Sequence, residues 1–208
     1  MERTLGFMRG LLKSYGPSSV KKRLWDEEFA VGKWNFIDET LGDCVYQYLE
    51  RYAKQGRILD LGCGPGNTAN ELNTGVYQTY VGVDISEAAL RKARKRSQEN
   101  GRADKNDFAQ GDFLTYRPNQ QFDVILFRES MYHVPLGKVK AVLDRYAKDL
   151  RKEGVFIVRM NTTGGKLGRP KAMVSVMETE FDVVEKRQHG ESGPTVIVFR
   201  PRQLRAQD

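Results

Sequence analysis

The sequence is poor in the features that mark secreted, metal-binding or membrane-spanning chains. Its 208 residues hold two cysteines, Cys44 and Cys63. Two thiols make no disulfide framework, and neither has a metal-ligating companion at a useful spacing. A reducing, cytoplasmic setting is expected, and no metal. No uninterrupted apolar run approaches the ~18 residues that a membrane helix needs. The opening residues, MERTLGFMRGLLKSYG, carry charges throughout and lack a small-residue cleavage site, so no signal peptide is expected. Internal repeats and low-complexity linkers are also missing.

What is present is the composition of a soluble globular domain. Hydrophobic residues make up 39% and charged residues 29%, with a mean hydropathy of −0.58. The length suits one domain with a small appendage, and such a domain buries roughly 70% of its unfolded surface. Lys and Arg outnumber Asp and Glu by 34 to 27, a net charge of +7. A basic excess attracts nucleic acid, acidic lipid or an anionic substrate. Here the basic residues are scattered over 21–23, 91–96, 148–152 and 166–171 and mixed with acids. Nucleic-acid binding needs a clustered basic face and is not favoured.

The pattern divides the chain into a helical front, residues 1–55, and an alternating α/β body, residues 56–208. In the front, Val20, Leu24, Trp25 and Phe29 recur at helical spacing after the break at Gly16-Pro17. Asp38 is placed to cap a second helix with Leu41, Val45, Tyr48, Leu49 and Tyr52 on one face, ended by Gly56. In the body, strands are expected at Arg57–Leu61, Tyr80–Ile85, near Phe108–Gln110, at Phe122–Phe127 and at Gly154–Met160. Helices are expected at Asn67–Leu72, after the capping residue Ser86 as far as Gly101, and along the stripe Leu136, Val139, Leu143, Tyr146, Leu150. Alternating strands and helices indicate a parallel sheet covered on both faces. The runs 181–188 and 195–199, joined by Gly190-Glu191-Ser192-Gly193-Pro194, read as a hairpin. The expected fold is α/β: a doubly wound, mostly parallel seven-stranded sheet ending in an antiparallel hairpin, with an N-terminal helical lid.

Between the first strand and its helix stands Asp60-Leu61-Gly62-Cys63-Gly64-Pro65-Gly66. Glycines there let the backbone turn sharply and let a ligand approach without a Cβ in the way. The helix start adds free N–H groups and positive potential. Asp84 follows at the end of the second strand, where an acid accepts hydrogen bonds from two ribose hydroxyls. A tight turn with no ligand would explain the glycines but not the position of Asp84. The dinucleotide fingerprint G-x-G-x-x-G is absent; the spacing is G-x-G-x-G, a poor match to a nicotinamide dinucleotide.

The segments RILDLGCGPGNTA, VGVDIS, AQGDF, FDVILFRESMYHV and LRKEGVFIV, in this order, resemble the successive motifs of class I S-adenosylmethionine-dependent methyltransferases. The resemblance covers Arg57 to about Met160 and implies S-adenosyl-L-methionine as cofactor. It implies that the turn Gly62, Cys63, Gly64 and Gly66 runs along the methionine end and that Asp60 holds the amino group. It assigns Asp84 to the ribose, Ile85 and Phe113 to the adenine ring, and Asp112 to the adenine amino group. Taken alone, Asp112 reads as a solvated turn acid; its place in Gly111-Asp112-Phe113 favours binding.

Beyond the strand Phe122–Phe127 come Arg128, Glu129, Ser130, Met131, Tyr132 and His133, where ligands of open α/β sheets bind. Arg128 is expected at the cofactor, Glu129 and Tyr132 at the acceptor; the alternative is that Arg128 and Glu129 pair with each other. His133 has the intrinsic pKa of a general base, needed only if the acceptor must lose a proton. Otherwise it packs under the following helix. Trp25 and Trp34, with Phe36 and Tyr15, supply a lid that borders the acceptor, or else pack the front on the body. His189 reads as structural. An Asn/Asp-Pro-Pro-Tyr/Phe motif of the kind found in base-nitrogen methyltransferases is missing, and neither cysteine is placed as a cytosine nucleophile.

These observations point to methyl transfer onto an O, N or C atom of a small-molecule acceptor by in-line displacement. An RNA- or protein-modifying methyltransferase and a non-catalytic SAM- or nucleotide-binding module remain open, and a nicotinamide oxidoreductase is disfavoured by the glycine spacing.

Overall fold

The computed structural model describes residues 2–35, 40–162 and 168–202. Phe36 and the expected cap Asp38 lie outside them. Strands β1 (Gly56–Leu61), β2 (Tyr77–Asp84), β3 (Asn106–Gln110), β4 (Phe122–Arg128), β5 (Leu150–Asn161), β6 (Asp182–Gln188) and β7 (Pro194–Arg200) form one sheet in the order β3-β2-β1-β4-β5-β7-β6. The first five run parallel to one another, and β7 runs antiparallel between β5 and β6. The expected doubly wound sheet and its closing hairpin are both present.

Side-chain alternation explains the two covered faces. Leu59, Leu61, Val81, Val83, Ile125, Phe127, Phe156 and Val158 point to one side. They meet α6 (Val139–Ala147) and α7 (Arg169–Glu180) there. Ile58, Tyr80, Val124, Leu126, Val155 and Ile157 point to the other. There they meet α3 (Val45–Ala53) and α5 (Glu87–Glu99). A strand buried on both faces has to be apolar almost throughout, as β4 is. Among the described residues no helix is long and apolar enough to cross a membrane.

Strand order reverses between β1 and β4, so the chain leaves these neighbours in opposite directions and a crevice opens beyond their carboxyl ends. The glycine turn fits there for steric reasons. Gly62 has φ +85°, and a Cβ on it would sit 2.5 Å from the Ser130 Cβ. Gly66 has φ +75°, and its Cβ would sit 2.7 Å from that of Ala93. The first position brings the β1 and β4 exits together; the second lets the short α4 (Asn67–Glu71) pack on α5.

Several local expectations change. Gly56 does not end α3 but opens β1; the helix stops because Lys54 and Gln55 take left-handed φ of 48° and 58°. Leu41 lies outside α3 and is 81% exposed. The helix expected from Leu136 to Leu150 is shorter: Leu136 sits in a 3₁₀ turn and Leu150 begins β5. Two helices escaped the reading. α7 buries Pro170, Met173, Val174 and Met177 at helical spacing. α1 (Glu2–Tyr15) turns Met8, Leu11, Leu12 and Tyr15 to solvent. Tyr15 is therefore not a lid aromatic facing the body.

Of the front segment, α3 packs into the sheet's core, whereas α1 rests on α2 (Ser18–Ala30) and α2 on α5. The expected cap Ser86 accepts a hydrogen bond from the Ala89 N–H at 3.2 Å. Its hydroxyl also donates to Asp26 of α2 at 2.8 Å, tying α2 to the start of α5. Ser86→Ala should lower stability by about 1 kcal/mol in urea unfolding. It should also speed amide exchange in α2. Exchange in α2 at the parent rate would show that the tie does not hold the lid.

Candidate active site

The crevice is a cavity of about 570 Å³, a size that holds a small organic ligand. It is lined by Asp60, Gly62, Cys63, Gly64, Asp84, Ile85, Asp112, Phe113 and Arg128 of the expected cofactor set, and by Trp25, Trp34, Glu129, Tyr132 and His133 of the expected acceptor set. Gly66 is the exception; its part is to pack the turn on α5.

At the glycine end, Asp60 is the last residue but one of β1 and is 1% exposed. One carboxylate oxygen accepts the Tyr80 hydroxyl, and the other, Oδ1, has no hydrogen-bond partner. Burial pushes its pKa up from 3.8 to about 6, against the pull of Tyr80 and Arg128. Asp84 finishes β2. It accepts the Gly64 N–H at 2.9 Å and the Ser86 N–H at 2.8 Å, and burial likewise raises its pKa to about 6. Asp84 thus fixes the glycine loop as well as facing the cavity.

The floor between β4 and β5 holds a chain of charges. Arg128 donates to Asp43 at 3.0 Å and, more weakly, to Tyr46 and Thr68 hydroxyls, each at 3.2 Å. Asp43 also pairs with Arg159 at 3.0 Å, and Arg159 donates to Glu129. Arg128 and Glu129 therefore each have a partner, but not each other. Burial works to raise the Asp43 pKa, yet Arg128, the Val45 N–H and Arg159 hold it below its ordinary value. Glu129 takes φ +53°. That conformation is strained for a residue with a Cβ and is a feature of functional sites. Burial raises the Glu129 pKa against Arg159.

Asp112 does not read as a solvated acid. Its Oδ2 accepts Ser18 at 2.9 Å and Lys21 at 3.0 Å, both from α2, and its Oδ1 accepts the Leu114 N–H at 3.0 Å. The opposite end of the cavity is aromatic. Trp25 lies 5.5 Å from Trp34 and 6.3 Å from Phe29, and meets His133 edge-on at 5.0 Å. Tyr132 lies 4.7 Å from His133. Burial, with Lys13, Arg169 and Lys21 nearby, lowers the His133 pKa to about 4 despite Glu28. Burial and Glu129 push the Tyr132 phenol up. His189 is elsewhere, bonded to the Tyr48 hydroxyl at 2.9 Å.

The reading of the sequence missed Lys13, Lys21, Phe29, Asp43 and Arg159, all of which line the cavity. Arg159 had a signal: a lone cation at the carboxyl end of an apolar strand. Lys13, Lys21 and Asp43 had none, because helix packing alone brings them to the site.

A family model described as methyltransferase domain matches residues 53–188. The chain is 29% identical over 120 residues to 27-O-demethylrifamycin SV methyltransferase of Amycolatopsis mediterranei, covering 54% of this chain and 44% of that one. It is 39% identical over 80 residues to ubiquinone biosynthesis O-methyltransferase of Thiobacillus denitrificans, covering 38% and 34%. The chain thus spans less than half the length of either relative. The solved N-methyltransferase NodS from Bradyrhizobium japonicum, in complex with S-adenosyl-L-homocysteine, superposes with a TM-score of 0.67 at 17% identity, over 88% of this chain and 98% of that one. The fold is shared with that structure.

The orphaned Asp60 oxygen has a measurable consequence. Folding raises this pKa from 3.8 to about 6, so the folded chain holds a proton that the unfolded chain has released. Ionising it costs stability that is absent below pH 4, grows to about pH 6 and is in full force above. Asp60→Asn should raise the melting temperature of the ligand-free protein by a few degrees at pH 8 and much less at pH 4. An equal gain at both pH values would exclude this account.

Proposed function

The chain belongs to the methyltransferase-domain family, and from that premise we propose that it binds S-adenosylmethionine and carries a methyl group to an O, N or C atom of a small-molecule acceptor. One observation carries this reading. A single cavity joins an acid-lined glycine end, where Asp60 Oδ1 lacks a partner, to an aromatic end under a lid.

The residues present fit the cofactor. Asp60 Oδ1 is a free acceptor for an ammonium group, and Gly64 presents no Cβ to the cavity wall. Asp84 keeps acceptor capacity for ribose hydroxyls beyond its two backbone bonds. Ile85 and Phe113 flank the space for adenine, and Asp112 takes the adenine amino group in exchange for Lys21. Gly62 and Cys63 run beside the methionine end. Arg128 is positioned there too, with its charge shared by Asp43. When bound, S-adenosylmethionine supplies a methyl group on a sulfonium, which leaves as the neutral thioether.

On the acceptor side, the residues of this chain align and exclude water. Trp25 and Trp34 close the space, and Glu129 and Tyr132 border it. His133 stays neutral at physiological pH and acts as a weak base at most, since its pKa is lowered to about 4. Holding two reactants in line supplies much of a displacement's rate. The lidded cavity supports a small acceptor over RNA or protein. A cytoplasmic location belongs to the same proposal and rests on the free thiols of Cys44 and Cys63.

Calorimetry with S-adenosylhomocysteine should give a micromolar dissociation constant, about −8 kcal/mol. Asp84→Ala should weaken it roughly 10- to 100-fold in a chain that still folds; parent-like affinity would remove Asp84 from the site. Because Asp60 and Asp84 ionise near pH 6 and the ligand's amino group is cationic, affinity should rise from pH 5 to 7 and then level off. A flat profile would count against both assignments. With an active acceptor in hand, His133→Ala should lower turnover less than about 10-fold, with no break in the parent's rate near pH 6.5. A break there, lost in the variant, would make His133 a true base.

A further inference from the structure

We propose that the aromatic end of the cavity is built for an acceptor that docks as an oxygen anion on a flat ring, a phenolate or an enolate, with the Lys13 ammonium as its counter-charge. The inference rests on the methyltransferase reading and narrows its acceptor class.

Lys13 is the least expected residue in the cavity. It comes from α1, its side chain is 9% exposed, and its Nζ lies 3.7 Å from the centre of the Trp25 ring. Trp25 in turn stands edge-on to His133. These rings line the aromatic end of the cavity, and aromatic surfaces pack well against a flat ring in offset or edge contacts. Lys13 already occupies the place on Trp25 that a cationic acceptor would seek. A second cation on that face would be repelled.

The charges facing this end are unevenly matched. Lys13 pairs with Glu28, but Glu28 also accepts from Lys33 at 2.9 Å and from the Trp34 indole at 3.0 Å. Arg9 of α1 reaches Glu28 at 3.9 Å and has its closer partner in Glu27. Lys21 is matched by Asp112. From α7, Arg169 donates to the Val134 carbonyl at 2.8 Å. Among these groups, one carboxylate, Glu28, answers both Lys13 and Lys33, and Arg169 adds a further positive charge beside His133. The lowered His133 pKa reports the same surroundings: burial first, then Lys13, Arg169 and Lys21 outweighing Glu28. Burial disfavours every charged form, a phenolate included; the nearby cations Lys13, Arg169 and Lys21 are what favours loss of a proton from a neutral acid docked beside them.

The local bases point the same way. His133 is too weak to take a phenol's proton, Glu129 is engaged by Arg159, and the Tyr132 phenol is pushed up. An acceptor that docks as an anion has already given its proton to solvent, and bond formation at its oxygen then needs no base.

The test uses 4-nitrophenol, whose anion absorbs visible light, with the full chain saturated by S-adenosylhomocysteine. The bound probe should ionise roughly one pH unit or more below the free probe. Lys13→Met should abolish that shift and weaken the anion at least about 10-fold, Lys13→Arg should retain it, and all three proteins should bind S-adenosylhomocysteine alike. The proposal is overturned if the bound probe ionises at or above its free value, or if Lys13→Met keeps the shift. Failure of the probe to bind while S-adenosylhomocysteine does, or tighter binding of benzylamine, also overturns it. Failure of S-adenosylhomocysteine itself to bind would instead remove the methyltransferase reading beneath it. Should Lys13→Met fail to fold, the parent's shift and the benzylamine comparison still decide.

Discussion

Four carboxylates, Asp60, Asp84, Asp112 and Glu129, line one cavity together with Asp43. Keeping five acids there is the constraint on which the rest of the site depends. A buried carboxylate is tolerated only when cations or N–H groups compensate it, or when it takes up a proton. The chain uses each remedy at a different position. Asp43 lies between Arg128 and Arg159, Glu129 leans on Arg159, and Asp112 holds Lys21. Asp84 is satisfied by backbone N–H groups of the turn it borders. Of the five, Asp60 alone keeps a buried oxygen with no partner. Among five neighbours of the same type, the one left incomplete is the one at the centre of the sheet, where strand order reverses. Functional sites are where such local deficits persist, because the surrounding fold has stability to spare.

The sheet makes that deficit possible. β1 is flanked by β2 and β4 along its length, so Asp60 is held by backbone pairing on both sides and cannot swing to solvent. The core below it is closed on both faces by large apolar side chains such as Phe127, Tyr146 and Tyr80. A carboxylate in a loop would relax toward water; one at the end of a central strand cannot.

Most of this frame is legible in the sequence. Strands such as FDVILF announce burial on both faces, the glycine run announces its turn, and Ser86 before an acid announces a helix start. The expected site residues of the body, Gly66 apart, come together around one cavity because they sit at or just beyond strand ends, which converge in this topology, whereas Trp25 and Trp34 arrive from α2 and the turn after it. The missed elements share a physical cause. α1 shows its apolar stripe to solvent and its polar side to the body, so the usual rule that the apolar face is the inner one points the wrong way. α7 carries a proper stripe, but it lies between the last expected parallel strand and the hairpin, where no helix is expected. Lys13, Lys21 and Asp43 gain their meaning from partners far away in sequence. No local pattern encodes a pairing such as Lys21 with Asp112, 91 residues apart.

That last pairing links the lid to the site in a specific way. Helix α2 is fastened to the body at two points, by Asp26 on Ser86 and the Ala88 N–H, and by Ser18 and Lys21 on Asp112. The first fastening is at the start of α5, one residue beyond Ile85. The second consists of the carboxylate assigned to the adenine amino group. A ligand that engages Asp112 therefore competes with Lys21 for the same oxygen, and part of its binding energy goes into exchanging one charged partner for another. On that reading α2 would lose one fastening and keep the one at Ser86 and Ala88. On the proposed reading, a ligand on the adenine side would alter the hold on α2, the helix that carries Trp25 to the aromatic end of the cavity.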